Sequence, residues 1–350
     1  MTNLLDYTKE ELLEIVNAYE QPRYRAEQLY NALQNGKDYG DNINLPKEFL
    51  NKLQDGGIIL QPVKIYKEVK SKSGSTKFLY LLSDGNIIEG VLMEYKFGRT
   101  LCVSTQVGCK MNCAFCASGL NGFVRDLSAG EILGQFIAVN KYLGGSVKDR
   151  KISNVVLMGS GEPLDNFQNT LKFLKLITCK DGLNVGVRSI SVSTSGIPSK
   201  IEALADSGYA VTLSISLHAP NNTIRKQIMP IAKRYTIESV LDSAKYYHTI
   251  TNRRILIEYT LIDGVNNTPT HAKQLAELLK DLPCHVNLIK LNEVDGRTLK
   301  TPSIESCDKF LETLNRLQVS ATLRRTLADD VEGACGQLRN NELKNLKKVK

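Results

Sequence analysis

Apolar and polar positions follow three successive patterns along the chain. In TKEELLEIVNAY, Leu12, Leu13, Ile15, Val16 and Tyr19 recur at helical spacing, and Thr8 with Glu11 makes a capping-box signature. PRYRAEQLYNALQNG and LPKEFLNKLQDG predict two more helices, each stopped by a glycine. From Pro62 the period drops to two. VKIYKEV, KFLYLL and NIIEGVLMEYK alternate, with Ser-Gly-Ser and Asp-Gly as turns between them, and predict three antiparallel strands. From Leu101 onward strand, loop and helix repeat, with candidate strands at 101–107, 154–159, 188–195, 211–218, 254–262, 285–291 and 320–325. Amphipathic stretches such as SAGEILGQFIAVNKYL, TIESVLDSAKYYHTI and THAKQLAELLKDL lie between them. Repeats of roughly 30 residues suit βα units on parallel strands, and they fall short of the eight in a closed barrel. The expected fold is therefore α/β, an open, partial (βα)6 barrel with its chemistry at the C-terminal strand ends. The expected divisions are a helical accessory domain over 1–60, an antiparallel extension over 61–100, the barrel over 101–326, and a C-terminal loop and basic tail over 327–350.

The 350 residues are 42% hydrophobic and 23% charged, as in a soluble globular protein. No apolar run approaches the roughly 20 residues needed to cross a bilayer, and MTNLLDYTKEELLEIV has no signal-peptide core, so a cytoplasmic protein is expected. Eight cysteines without a secretion signal argue against a disulfide framework. The net charge of +8 is uneven: residues 1–60 hold 6 basic and 10 acidic side chains, a net of −4, which leaves +12 for the rest. The excess lies in VKIYKEVKSKSGSTK (63–77), in Arg324 and Arg325, and in NELKNLKKVK. Such a face suits a phosphate backbone, and equally a solvated lysine-rich surface.

The stretch GCKMNCAFC places Cys109, Cys113 and Cys116 in one loop after the first barrel strand. Cubane iron–sulfur clusters are normally held by four cysteines, so three leave one iron open to a small molecule. Zinc usually wants four ligands in paired C-x2-C steps, and no His or second C-x2-C lies nearby. The C-x3-C-x2-C spacing resembles that of the radical S-adenosylmethionine (SAM) superfamily. There SAM chelates the open iron through its amino and carboxylate groups, and an injected electron cleaves it to a 5′-deoxyadenosyl radical. GSGEP (159–163) alone is an ordinary βα loop with glycines for close approach and a proline that fixes the turn. One βα unit after the cysteines, it resembles the superfamily segment that binds the amino group of SAM, a task for Gly161 and Glu162. Ser193 ends the third strand, and Ser216, Leu217 and His218 end the fourth, where each could bind the methionyl or ribose part of SAM or simply cap a loop. Asn292, just after HVNLIKL, is an amide placed to read an adenine edge. Cys102 lies one residue into the first barrel strand, and Cys335 sits between glycines in EGACGQL, on a loop suited to carrying a thiol into a pocket. Unremarkable cysteines would read the same way, as do Cys179, Cys284 and Cys307.

Taken together, LCVSTQVGC with the cysteine loop, LMGSGEPLDN, SVSTSG, SISLHAP, HVNLIKLNEV and ACGQLR resemble the adenine-C2 RNA methyltransferases, the RlmN family, over essentially the whole chain. GEP, QVGC and the Arg-Arg pair at 324–325 look more like this group than like the related Cfr-type enzymes, which methylate adenine C8. Ser160 and CASG depart from the commonest pattern. The resemblance implies a radical SAM barrel with one [4Fe-4S] cluster on Cys109, Cys113 and Cys116, and two SAM molecules per turnover. It implies that Cys335 is S-methylated by the first SAM. The radical from the second takes hydrogen from that methyl group, and its carbon adds to the adenine to give a covalent RNA–protein adduct. Cys102 then attacks the Cys335 sulfur, forming a transient disulfide, while Glu89 occupies the position assigned to the proton acceptor, with Glu94 as a nearby rival. The implied substrates are 23S rRNA and tRNA, at the adenosine 3′ of the anticodon, with flavodoxin or ferredoxin as electron donor, no membrane, and a monomeric enzyme. Extracting a base from its stack fits an open barrel mouth. A C8 methyltransferase is the neighbouring alternative, and a non-enzymatic iron–sulfur RNA-binding or redox-sensing protein is the alternative of another class.

Overall fold

A computed structural model describes residues 2–72, 74–324 and 336–348. Three helices open the chain: α1 (Lys9–Ala18), α2 (Tyr24–Gln34) and α3 (Lys47–Asp55). The capping box forms as its residues predict, with Glu11 N donating to Thr8 Oγ1 and Thr8 N donating to Glu11 Oε2 at 2.7 Å. The apolar faces of these helices, including Leu12, Val16, Leu29, Leu33 and Phe49, are buried in one core continuous with that of the sheet.

The alternating segments form β1 (Val63–Lys70), β2 (Thr76–Leu82) and β3 (Ile87–Tyr95), paired antiparallel, with an irregularity between Ile65 and Lys67 on β1. β4 (Gly98–Cys102) pairs antiparallel with β3 on one side and parallel with the next barrel strand on the other. The expected strand 101–107 is in fact two pieces. β4 ends at Cys102, and β5 (Gln106–Gly108) pairs with β6 (Phe123–Asp126) in a separate ribbon that brackets the cysteine loop. The break has a local cause. Ser104 N bonds Gln135 Oε1 at 2.9 Å and Ser104 Oγ bonds the Glu89 carbonyl at 2.6 Å, so side chains take the place of ladder partners.

The remaining elements are α4 (Ala129–Tyr142), β7 (Asn154–Leu157), α5 (Phe167–Ile177), β8 (Ile190–Thr194), α6 (Pro198–Asp206), β9 (Thr212–Ser216), α7 (Asn222–Ile228) and α8 (Ile237–Thr251). They continue with β10 (Ile255–Leu261), α9 (Pro269–Leu279), β11 (Cys284–Lys290), α10 (Ile304–Arg316), β12 (Ala321–Leu323) and α11 (Gln337–Lys348). One ten-stranded sheet runs β1-β2-β3-β4-β7-β8-β9-β10-β11-β12, parallel from β4 onward. Its parallel strands are rich in buried Val, Ile and Leu, as expected where helices cover a sheet. Consecutive strands separated by helices and lying side by side give the open α/β barrel that the repeats predict. Among the described residues no helix is long and apolar enough to cross a membrane.

Candidate active site

A cavity of about 370 Å³ opens at the C-terminal ends of the parallel strands. Cys109, Cys113 and Cys116 line it together with Cys102 from the end of β4. Gly161 and Glu162 enter from the loop after β7, Ser193 from β8, Ser216 and His218 from the end of β9, and Asn292 from beyond β11. Residues spread over nearly 200 positions are thus gathered in one space. Leu217 differs: its side chain is fully buried in the core, and its N–H donates to the Glu258 carbonyl at 3.1 Å. Glu89 sits behind the cavity wall and engages α11, whereas Glu94 is a surface residue bonded to Arg99. Cys335 lies outside the described residues.

The cysteine loop is held from both sides. At Gly108, with φ +80°, a Cβ would come within 1.9 Å of the Gly122 carbonyl oxygen, so only glycine lets the ribbon close beneath Cys109. Ala114 N donates to the carbonyl of Ile228 at 2.8 Å and ties the loop to the end of α7. Burial pushes the Cys109 thiol up to about 12 and raises Cys113 well above its ordinary value, so thiolates here need a cationic partner. Among the described residues no three ligating groups are gathered closely enough for a single metal ion. A cubane presents separate iron corners to its thiolates, so its ligands stand farther apart than those of one ion.

Arg225 is the observation that fits such a cluster best. Its guanidinium is fully buried, with Nη2 on the Ser195 carbonyl at 2.6 Å and Nε on the Leu217 carbonyl at 3.2 Å. Nη1 is buried without a hydrogen-bond partner among the described residues. Burial lowers the Arg225 pKa to about 10, and neighbouring Cys113 works against that fall. A cation sealed beside Cys113 with a spare N–H suits an anionic thiolate-bound cluster. Nothing in the sequence reading singled out Arg225. An arginine spaced among apolar residues just after SISLHAP was the only available signal.

The neighbouring walls are equally specific. Gly161 has φ +110°, and a Cβ there would lie 2.7 Å from Gln106 N, so the loop presses directly against β5. Glu162 N donates to Gln106 Oε1, while its carboxylate accepts from Leu164 N at 3.0 Å and Ser195 N at 2.6 Å. Burial raises this carboxyl, and those hydrogen bonds oppose the rise. His218 accepts at Nδ1 from Thr260 N at 2.9 Å, which leaves the proton of the neutral ring on Nε2. Burial first, then Arg225, holds His218 down at about 3. Opposite lie Glu258, Lys290 and Arg324, of which only Arg324 was noted, as part of a basic patch. Glu258 Oε1 accepts from Asn287 Nδ2 at 2.9 Å, Oε2 has no hydrogen bond among the described residues, and Arg324 Nη1 stands 3.9 Å from it. An acidic residue inside the apolar run RILIEYTLI was the signal for it.

The sequence model of the Radical SAM superfamily matches residues 103–279. The probable dual-specificity RNA methyltransferase RlmN of Clostridium novyi (strain NT) is 45% identical over 347 residues, covering 99% of this chain and 100% of that one. That of Alkaliphilus oremlandii (strain OhILAs) is 46% identical over 345 residues, 98% of this chain and 99% of that one. The crystal structure of a radical SAM methyltransferase from Sphaerobacter thermophilus matches with a TM-score of 0.91 and 38% identity, over 96% of this chain and 99% of that one. A radical SAM enzyme carries a [4Fe-4S] cluster and uses SAM, and Cys109, Cys113 and Cys116 are free thiols that line the cavity, with Arg225 beside Cys113. On its full-length match and its shared fold, the chain belongs to the radical SAM superfamily and, within it, to the RlmN family.

Proposed function

We propose that this enzyme methylates C2 of adenine in RNA, acting on 23S rRNA and on tRNA at the adenosine 3′ of the anticodon. The observation that carries this reading is the shared cavity, in which Cys102 faces the same space as the three cluster cysteines and the strand-end residues. Adenine C2 is an electron-poor carbon that will not attack a sulfonium methyl as a nucleophile. The cluster with SAM supplies the one-electron chemistry that avoids this limit. Cys109, Cys113 and Cys116 hold the cluster. Gly161, Glu162 and Ser193 hold the amino-acid end of SAM, and Ser216, His218 and Asn292 its nucleoside, with the backbone of Leu217 completing that wall. Cys335 carries the methyl group to the base. Glu89 takes the C2 proton and Cys102 attacks the Cys335 sulfur, so that an S–S bond forms as the S–C bond breaks. The released methylene gains a proton to become methyl, the odd electron of the adduct passes back to the cluster, and a dithiol reductant restores the two thiols. Two SAM molecules are consumed per turnover, and a flavodoxin or ferredoxin feeds the cluster of a monomeric enzyme. Lys290 and Arg324 add positive charge to the cavity for the RNA backbone.

Mass spectrometry of nucleosides from RNA treated with the protein tests this reading. 2-Methyladenosine is the expected product; 8-methyladenosine would move the reaction to the neighbouring carbon, and neither would remove the methyltransferase reading. Cys102→Ala should accumulate RNA cross-linked to protein, and clean turnover by that variant would refute its resolving role.

A further inference from the structure

We infer that Glu89, Lys77 and Arg339 form a buried clasp that positions the C-terminal helix α11, and so the residue next to Cys335, against the cluster loop. This rests on the proposed role of Cys335 only for its catalytic meaning. Leu79 pairs with Glu89 and Lys77 with Val91, so Lys77 and Glu89 are diagonal neighbours on one face of the β2–β3 ladder. Both side chains are almost completely buried, and Lys77 Nζ lies 3.7 Å from Glu89 Oε1. A buried ion pair needs its remaining hydrogen-bonding capacity satisfied. Glu89 obtains this from a segment about 250 positions away, because Gly336 N and Arg339 N each donate to its carboxylate at 3.1 Å. These N–H groups open α11 and have no acceptor within the helix. Arg339 Nε in turn donates to the Ile87 carbonyl at 2.5 Å, from the same strand β3.

The same end of the helix is bolted to the cluster loop. Asn340 Nδ2 donates to the Ala117 carbonyl at 2.9 Å, one residue beyond Cys116, and Asn121 Nδ2 donates to Asn340 Oδ1. Gly336 has φ +84°, and a Cβ there would lie 3.0 Å from Ser118 N. Apolar burial cannot do this work, since Leu338 is the one buried aliphatic side chain over Gln337–Lys344. A charged clasp is what seats a polar helix here. It makes Glu89 a positioning residue from the first step, a role separate from accepting a proton at the last one.

The test compares Glu89→Ala and Glu89→Gln with the wild-type holoenzyme. It reads amide hydrogen exchange across 336–342 and, after incubation with SAM without RNA, the mass gain at Cys335. In Glu89→Ala, exchange at 336–340 should rise at least about tenfold and Cys335 methylation slow by a similar factor, with iron content unchanged. Glu89→Gln keeps one acceptor oxygen and should recover part of both. Unchanged exchange would overturn the clasp. So would full-rate Cys335 methylation with accumulating RNA adduct, the signature of a proton acceptor alone. Loss of protection across 255–261 as well would make Glu89 a general structural residue, which also overturns it. Were the wild type itself to gain no methyl group, the functional reading would fall and the exchange rates alone would decide the clasp.

Discussion

Two buried glutamates face the same cavity, one from a loop and one from a strand, and their surroundings are unlike. Glu162, after β7, has an N–H donor on each carboxylate oxygen and spends its charge holding the GSGEP loop to the end of β8. Glu258, within β10, has one donor on one oxygen and, among the described residues, none on the other. Burial raises both carboxyls, yet the first is a satisfied part of the scaffold and the second keeps capacity for something else. The cavity therefore has a finished wall, built around the cysteine loop and Glu162, and an unfinished one made by Glu258, Lys290 and Arg324. Within this cavity Glu258 keeps a hydrogen-bonding capacity that Glu162 has already committed to the scaffold.

The largest effect should fall on the finished wall. Cys113→Ser should bring the iron content of anaerobically purified protein near background and cut methyl transfer by at least about 1000-fold. Full iron and activity would remove the metal from that wall. Glu162→Gln turns one acceptor into an N–H₂ facing a backbone donor, and should cost about 2–4 kcal/mol in urea denaturation and weaken SAM binding. A neutral result would erase the contrast between the two glutamates. Arg324→Ala, on the unfinished wall, should lower kcat/KM for RNA about 10- to 100-fold while leaving iron and stability untouched. Loss of iron would show that the two walls are not independent.

Glu258→Gln should have only a small effect on folding, within about 1 kcal/mol of wild type or slightly stabilising. Its pH dependence gives the sharper test. Burial lifts the Glu258 carboxyl above its ordinary 4.5, with Arg324 and Asn287 pulling the other way. The folded protein thus binds that proton more tightly than the unfolded chain, and wild-type stability falls as pH rises from about 4.5 through the folded-state value. The variant lacks this loss, so its stability relative to wild type should grow across that window and then level off. A parallel pair of pH profiles would mean that Glu258 titrates normally.

Much of this was legible in the sequence because it depends on local order. Periods of 3.6 and 2 located the first three helices and β1–β3, and the βα repeat located the parallel sheet. Cysteine spacing and strand-end position picked out residues that do share a cavity. The break after Cys102 was not legible, because Val103 and Val107 continue the apolar alternation while the partners that interrupt it, Gln135 and Glu89, are distant in sequence. Arg225 and Glu258 escaped for a related reason: a charged side chain looks the same in a string whether it is solvated or sealed. Glu89 could be assigned a role by resemblance, but its grip on α11 depends on residues about 250 positions away. Helix α11 is too polar for its amphipathic pattern to announce where it packs.

The way the antiparallel extension is fused to the barrel also sets where the sheet's edges fall. Since β4 is paired on both sides, the borders of the ten-stranded sheet among the described residues fall at β1 and β12. β12 is only three residues long, while β1 carries exposed Lys64, Lys67 and Lys70 and an interrupted register. Short, charged or irregular edges are poor templates for recruiting a foreign strand. Edges of this kind offer little purchase to an added strand.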